Sequence, residues 1–171
     1  MRTHHQWITR AETPADIPAI RAVTLAAFDT AAEADLVDAL RADACWIEGL
    51  SLVSTDEHGA LAGHALLTRC HIGDRAALCL APVSVLPARQ RTGAGSAAVR
   101  AALAAAAALG EHHVVVLGHP AYYPRFGFER ASAHGIRVGF EVPDEALMAL
   151  TLDDAQPLPA GTVRYPAPFG S

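Results

Sequence analysis

Apolar positions in this chain fall into alternating stretches and helical stripes, separated by clear breakers. Trp7-Ile8-Thr9 predicts a short first strand. Thr13-Pro14-Ala15-Asp16 predicts a helix start, with threonine at the N-cap, proline at N1 and an acid at N3. Ile17, Ile20, Thr24 and Phe28 recur on one face of that helix. A second helix begins near Glu33, with Leu36, Val37 and Leu40 as its stripe. Residues 45–54 read as a strand, Asp56-Glu57-His58-Gly59 as a hairpin turn and residues 60–72 as the returning strand. Gly73-Asp74-Arg75 turns the chain into a third long strand over residues 76–86. Pro82 falls inside it and donates no ladder hydrogen bond, which predicts a bulge or a place where two strands part.

The second half changes rhythm. Residues 96–109 predict an alanine-rich helix closed by Gly110, with Val99, Leu103 and Ala106 turned inward. Residues 113–117 are a short apolar strand, so the middle of the chain reads as a βαβ unit. Residues 120–125 predict a brief helix or turn, and Phe126-Gly127-Phe128 leads into another strand. Residues 136–142 and 148–152 are expected to form a hairpin, with Val163-Arg164-Tyr165 pairing at an edge. The fold class is mixed α/β, an antiparallel meander feeding a parallel crossover.

Composition narrows the function. A chain of 171 residues with 51% hydrophobic positions suits one domain with a sizeable core. The expected organisation is a single domain over 1–171, with its core in 8–152 and a C-terminal extension in 153–171. A formal charge of −5 speaks against nucleic acid and against an acidic membrane surface. Met1 to Gln6 contains no apolar run of a secretory signal, and 101–109 is too short to span a bilayer. Cys45, Cys70 and Cys79 form no CxxC, which fits a reduced, cytoplasmic protein. The histidine pairs His4-His5 and His112-His113 are poorly spaced for one face, so no metal is expected.

The chemistry concentrates in Gln90-Arg91-Thr92-Gly93-Ala94-Gly95-Ser96, between the third long strand and the alanine-rich helix. Two glycines let the chain turn tightly and present N–H groups, and the helix N-terminus adds more. Together these suit a phosphate or pyrophosphate. A dinucleotide fingerprint also needs an acid about 20 residues on to hold the ribose, and residues 114–120 contain none. A nucleoside triphosphate loop needs Gly-Lys-Ser/Thr, which is absent.

Gln90-Arg91-Thr92-Gly93-Ala94-Gly95 resembles the Q/R-x-x-G-x-G/A pyrophosphate loop of the GNAT-type N-acetyltransferase superfamily. Pro82-Val83-Ser84-Val85-Leu86-Pro87 is similar to that family's bulged fourth strand. Tyr122-Tyr123-Pro124-Arg125-Phe126-Gly127-Phe128 looks like its closing element, a tyrosine four residues before Gly-Phe. The resemblance covers about 8–152 and is nearest to a bacterial subgroup of acetyltransferases.

The resemblance implies a central mixed sheet with splayed fourth and fifth strands, flanked by helices. It also implies acetyl-CoA as cosubstrate and a small-molecule amine or peptide as acceptor. Gln90, Arg91, Thr92, Gly93, Ala94, Gly95 and Ser96 would hold the pyrophosphate, while the main chain at Val83 and Val85 would pair with the pantetheine arm. Tyr123 would be the general acid beside the sulfur, with Tyr122 packing behind it. The family's usual glutamate on the fourth strand is missing, since Cys79 and Ser84 are the only polar side chains there. Glu33 is the base candidate taken forward, with His64, His71 and His119 as others. Val116 replaces an asparagine that many members use on the pantetheine. The missing glutamate leaves a non-catalytic acyl-CoA-binding or sensor domain as the alternative. Exposed sheet edges near the C-terminus are compatible with a homodimer.

Overall fold

The computed structural model describes residues 7–170. Among these, nine strands form one sheet system with three α-helices. The strands are β1 (Ile8–Ala11), β2 (Ser51–Thr55), β3 (Leu61–Ile72), β4 (Arg75–Val85), β5 (His113–Leu117), β6 (Glu129–Arg130), β7 (Ile136–Arg137), β8 (Leu147–Thr151) and β9 (Gly161–Arg164). The helices are α1 (Ile17–Ala27), α2 (Ala32–Arg41) and α3 (Ala94–Ala108). The main path runs β1-β2-β3-β4-β5-β8-β6, and β9 joins the far end of β3 and pairs β7. Neighbours are antiparallel except for β4–β5 and β7–β9. The crossover from β4 through α3 to β5 is therefore the predicted βαβ unit.

Side-chain parity sorts the sheet into two faces. Leu78 and Leu80 on β4, Ala65 and Leu67 on β3 and Val114 on β5 pack under α3. That helix inserts Ala98, Val99, Ala102 and Ala106. Its small side chains let the backbone come close. A β-carbon on Gly63 would stand 2.5 Å from Ser54 Oγ and 3.1 Å from the Ala94 carbonyl oxygen, and Ser54 Oγ donates to that same oxygen at 2.9 Å. On the other face, Val53 and Leu66 meet Ile20, Val37 and Leu40 of α1 and α2. Farther along, Cys70, Cys79 and Val115 meet Ile136, Leu147 and Val163.

Pro82 produces the expected irregularity. Ala65 is opposite Val83 but Leu67 is opposite Leu80, so β4 carries one extra residue against Leu66. The bulge reverses the parity of β4. Val83 now packs with the α3-side cluster and Val85 lies against Gly95, while Ser84 turns to the α1 side and reaches Thr24 Oγ1 at 3.5 Å.

Two local expectations are corrected, and the expected helix start at Thr13 is refined. Residues 45–50 are turns and not strand. Asp43 Oδ2 accepts the Cys45 N–H at 2.9 Å, Leu50 N–H bonds Ile47 O, and Gly49 has φ +89°. The hairpin of 136–142 with 148–152 does not form. Only Ile136–Arg137 is strand, held parallel to β9, while β8 instead pairs β5 and β6. The Pro143-Asp144-Glu145 turn and the Gly118 N–H to Ala146 O bond at 2.9 Å direct β8 to β5. The first turn of the N-terminal helical segment is 3-10 before α1 begins, with the Asp16 carboxylate accepting the Thr13 N–H at 2.7 Å.

One buried polar chain runs through the β2–β3 layer. Ser51 Oγ donates to the Glu12 carboxylate, which also meets Arg41. Ser51 must then accept from His64 Nε2–H, at 2.7 Å, which leaves the Nδ1 lone pair without a partner. Burial, with the Arg41 charge, pushes His64 down to about 3 from the ordinary 6.5. The unfolded chain therefore takes a proton below about 6.5 that the folded chain refuses down to about 3. Stability contributed by neutral His64 is full above that upper value and is lost as pH falls, by up to about 1.4 kcal/mol per unit. Denaturant midpoints between pH 7 and 4 should thus fall more steeply for the wild type than for His64→Gln. Parallel profiles would contradict this account.

Candidate active site

Beyond two register pairs, Leu78 with Val114 and Cys79 with Val115, β4 and β5 share no ladder. The strands separate there, and among the described residues the outer side of β4 from Leu80 to Val85 has no strand partner. At its end a 3-10 turn, Pro87–Arg89, leads into the glycine loop. Arg91 at φ +64° and Gly93 at φ +92° are both left-handed, and these two positions reverse the chain and launch α3. The Trp7 indole N–H donates to Thr92 O at 2.9 Å, and Thr92 Oγ1 donates to Arg89 O, so the loop is pinned from outside. The first loop-to-helix bond is Ala97 N–H to Gly93 O at 2.9 Å. Ala94, Gly95 and Ser96 precede it and line the opening, and N–H groups in the first turn of a helix have no intrahelical acceptor. Gly95 is obligatory, because a β-carbon would meet Val85 Cγ2 at 2.7 Å.

The gap is a cleft of about 560 Å³. One wall is Val83 and Val85. The loop contributes Gln90, Arg91, Gly93, Ala94, Gly95 and Ser96. The segment after β5 supplies His119, Tyr122 and Tyr123. Thr92 does not line the cleft and serves the loop's anchorage. Glu33 is also outside the lining. It sits in the first turn of α2, where its carboxylate is 3.5 Å from Thr30 Oγ1.

Three cleft residues were not singled out from sequence as part of this site. Tyr122 was assigned to packing, yet its hydroxyl is 2.8 Å from Ser96 Oγ and closes the cleft against the helix N-terminus. Arg125 stacks 4.4 Å above the Tyr122 ring and donates from Nε to Tyr122 O at 2.8 Å. Arg89 lies beside Asp56 at 3.4 Å and above Trp7. The signal was available for Arg125, two residues beyond Tyr123. With Arg91, three guanidinium groups line one cleft of a chain whose formal charge is −5.

Tyr123 is held by its ring. It packs edge-on to Tyr122 at 5.0 Å and to Phe128 at 5.9 Å. His119 O receives the N–H groups of both Tyr122 and Tyr123. Burial, with Tyr122 adjacent, pushes the Tyr123 phenol up to about 12. The phenol is therefore protonated throughout the neutral range. The other polar candidates are committed elsewhere. Cys79 and Thr68 bond one another at 3.3 Å, His64 is bonded to Ser51, and Val116 is buried under α3. His4-His5 lies outside the described residues. Among the described residues, no group of three His, Cys, Asp or Glu is placed to hold a metal ion, and no helix is long and apolar enough to cross a membrane.

The mixed sheet with its splayed β4–β5 pair, flanked by helices and followed by a glycine loop at a helix N-terminus, is the fold of an acyltransferase family. The chain belongs to the acetyltransferase (GNAT) family, whose profile matches residues 18–128, and it is an acetyl-CoA-dependent N-acetyltransferase. It is similar to the uncharacterized N-acetyltransferase YhbS of Escherichia coli K12, with 34% identity over 161 residues, 92% of this chain and 95% of that protein. The crystal structure of E. coli YhbS in complex with CoA superposes with a TM-score of 0.89 at 30% identity, over 99% of this chain and 94% of that one. A GNAT family acetyltransferase from Brucella melitensis, in complex with acetyl-CoA, gives 0.79 at 34% identity, over 98% and 100%.

The position of Tyr123 depends on Gly118, where a β-carbon would stand 2.5 Å from Tyr123 Cε2. Gly118→Ala should displace the ring and destabilise the fold by about 1–3 kcal/mol. A lowered melting temperature together with a shifted Tyr123 in a crystal structure would bear this out, and an unmoved ring would refute it.

Proposed function

We propose that the arginine-lined cleft holds acetyl-CoA and that Tyr123 assists departure of its thiolate during transfer to an amine. The observation that carries the reading is the convergence of three features on one cleft: the unpaired side of β4, the N–H groups at the start of α3, and a protonated buried phenol. The N–H groups of Ala94, Gly95 and Ser96, with Arg91 and Arg125, suit a pyrophosphate. The main chain at Val83 and Val85 offers strand-like bonds to the amide-bearing arm. Nucleophilic attack forms a C–N bond and breaks the C–S bond, and in balance one proton passes from nitrogen to sulfur. A thiol's reference value is about 8.5, well below a phenol at about 12. Tyr123 therefore serves first as a hydrogen-bond donor to the sulfur as negative charge gathers there, a role that requires only that it stay protonated. His119 is the imidazole among the described lining residues, and it is the base candidate that the cleft itself presents.

Thiol release with a panel of amines tests the reading. Tyr123→Phe should lower kcat by about 10² or more while leaving the KM for acetyl-CoA near wild type. The phenol acts in its protonated form, and its pKa is raised, so this group is lost only as pH approaches about 12. The wild-type kcat profile should consequently show no descending limb from Tyr123 below about pH 10. A limb near pH 9 that disappears in Tyr123→Phe would refute the assignment. Binding of acetyl-CoA without turnover on any amine would instead point to a sensor domain.

Exposed charges are screened by salt, with a Debye length of about 10 Å at 0.1 M. Arg91→Ala and Arg125→Ala should each raise the KM for acetyl-CoA several-fold at low ionic strength, with less effect at high salt. Unchanged KM values in both variants would remove the guanidinium groups from cofactor binding.

A further inference from the structure

The parting of β4 and β5 opens a second cavity, on the face of the sheet away from α3. Its volume is about 220 Å³. Cys79 and Val115 form the floor, and Phe140, Tyr165 and Phe169 of the C-terminal segment form the walls. The Tyr165 ring centroid lies 6.3 Å from that of Phe140 and 5.4 Å from that of Phe169. On β4 the lining of this cavity ends at Ala81 and that of the arginine-lined cleft begins at Val83. After β5 the corresponding residues are Leu117 and His119. The two cavities thus approach one gap from opposite faces, and the bulge at Ala81 and Pro82 lies between them.

Their chemistry is opposite. The arginine-lined cleft carries three guanidinium groups, whereas among the described residues no Asp, Glu, Lys, Arg or His lines the aromatic cavity. A buried ammonium would find no counter-charge among the described lining residues, and its desolvation, several kcal/mol, exceeds the about 2 kcal/mol that a cation–π contact returns. An uncharged ring fits instead. An apolar cavity of about 150 Å³ accepts benzene, so the volume here accommodates a ring with a short aliphatic spacer. Phe140 has 55% of its surface exposed and its ring tilted against that of Tyr165.

We propose that the aromatic cavity seats the apolar substituent of the acetyl acceptor, and that the acceptor is an arylalkylamine such as 2-phenylethylamine in preference to a polyamine or a lysine-rich peptide. The amine nitrogen sits at the gap, where the cavity meets the cleft. The proposal rests on the cleft being the acyl-donor site.

Three measurements test it. Calorimetric titration of acetyl-CoA into the protein checks the donor reading by itself. Titration of 2-phenylethylamine into the protein saturated with CoA then reads the acceptor cavity without turnover. Finally, thiol release should give 2-phenylethylamine a kcat/KM at least about tenfold above that of spermidine, of a lysine peptide and of ethylamine, which lacks the ring. Phe140→Ala, at an exposed position that does not threaten folding, should erase most of the preference over ethylamine and leave the KM for acetyl-CoA unchanged. Equal or better turnover of spermidine or the peptide would overturn the proposal, as would an unchanged preference in Phe140→Ala. Failure of acetyl-CoA to bind would overturn the donor reading and this inference with it. Binding of acetyl-CoA without binding of 2-phenylethylamine would overturn the acceptor inference alone.

Discussion

β4 and β5 are held together by two register pairs, and the active-site geometry follows from what happens beyond them. A parallel pair buried on both faces ordinarily continues as a ladder. Here α3 holds the two strands at one end, and the extra residue at Ala81 and Pro82 turns β4 out of phase with its continuation. The phase change has two effects. It exposes main-chain groups of Val83 to Val85 on the side where a strand would otherwise lie. It also turns Val85 towards Gly95, which sets the start of α3 against the end of β4. A single inserted residue thereby positions both the open edge and the helix N-terminus.

Much of this was legible because the residues involved have few alternative uses. Pro82 cannot donate to a ladder, so a disruption was required whatever the partner strands were. The Gly93 and Gly95 positions call for glycine on different grounds: one has a left-handed backbone and the other leaves no room beside Val85. What sequence left hidden depends on long-range placement. Tyr122 was indistinguishable from a core aromatic until its hydroxyl met Ser96, 26 residues earlier. Residues 45–50 carry strand-like composition, but Asp43 and Gly49 impose turns that local propensity did not outweigh. The supposed C-terminal hairpin failed because each candidate strand found a better partner, β9 for β7 and β5 for β8. Glu33 was favoured for its helix, and the helix places it outside the cleft lining.

The polar groups of the interior show why no base emerges from the sheet itself. His64 is fully buried and its pKa falls to about 3, some seven units below an alkylammonium near 10.4. Proton transfer from an ammonium to such a group is far uphill. Cys79 and Ser84, the polar side chains of β4 after Arg75, already bond Thr68 and Thr24. Burial makes these groups useful for packing and poor for proton transfer. The reading proposed above therefore looks to the lining of the arginine-rich cleft, with His119 and solvent, for the acceptor's proton.

Deprotonation in solution has a definite cost that the rest of the site must offset. An amine near 10.4 is neutral to about one part in a thousand at pH 7.4, which corresponds to about 4 kcal/mol. Enclosing an aromatic group removes about 150 Å² from water, worth about 4 kcal/mol at 25 cal/mol per Å². The two magnitudes are comparable. Burial of the ring favours the acceptor in either protonation state, and the three guanidinium groups of the adjoining cleft disfavour an ammonium at the gap. A cavity lined with carboxylates would attract amines more strongly, but it would hold them as ammonium ions with no lone pair for attack. With no base on β4, the proposed acceptor cavity would thus offset the cost of deprotonation through ring burial, while the proton itself leaves by way of the cleft and solvent.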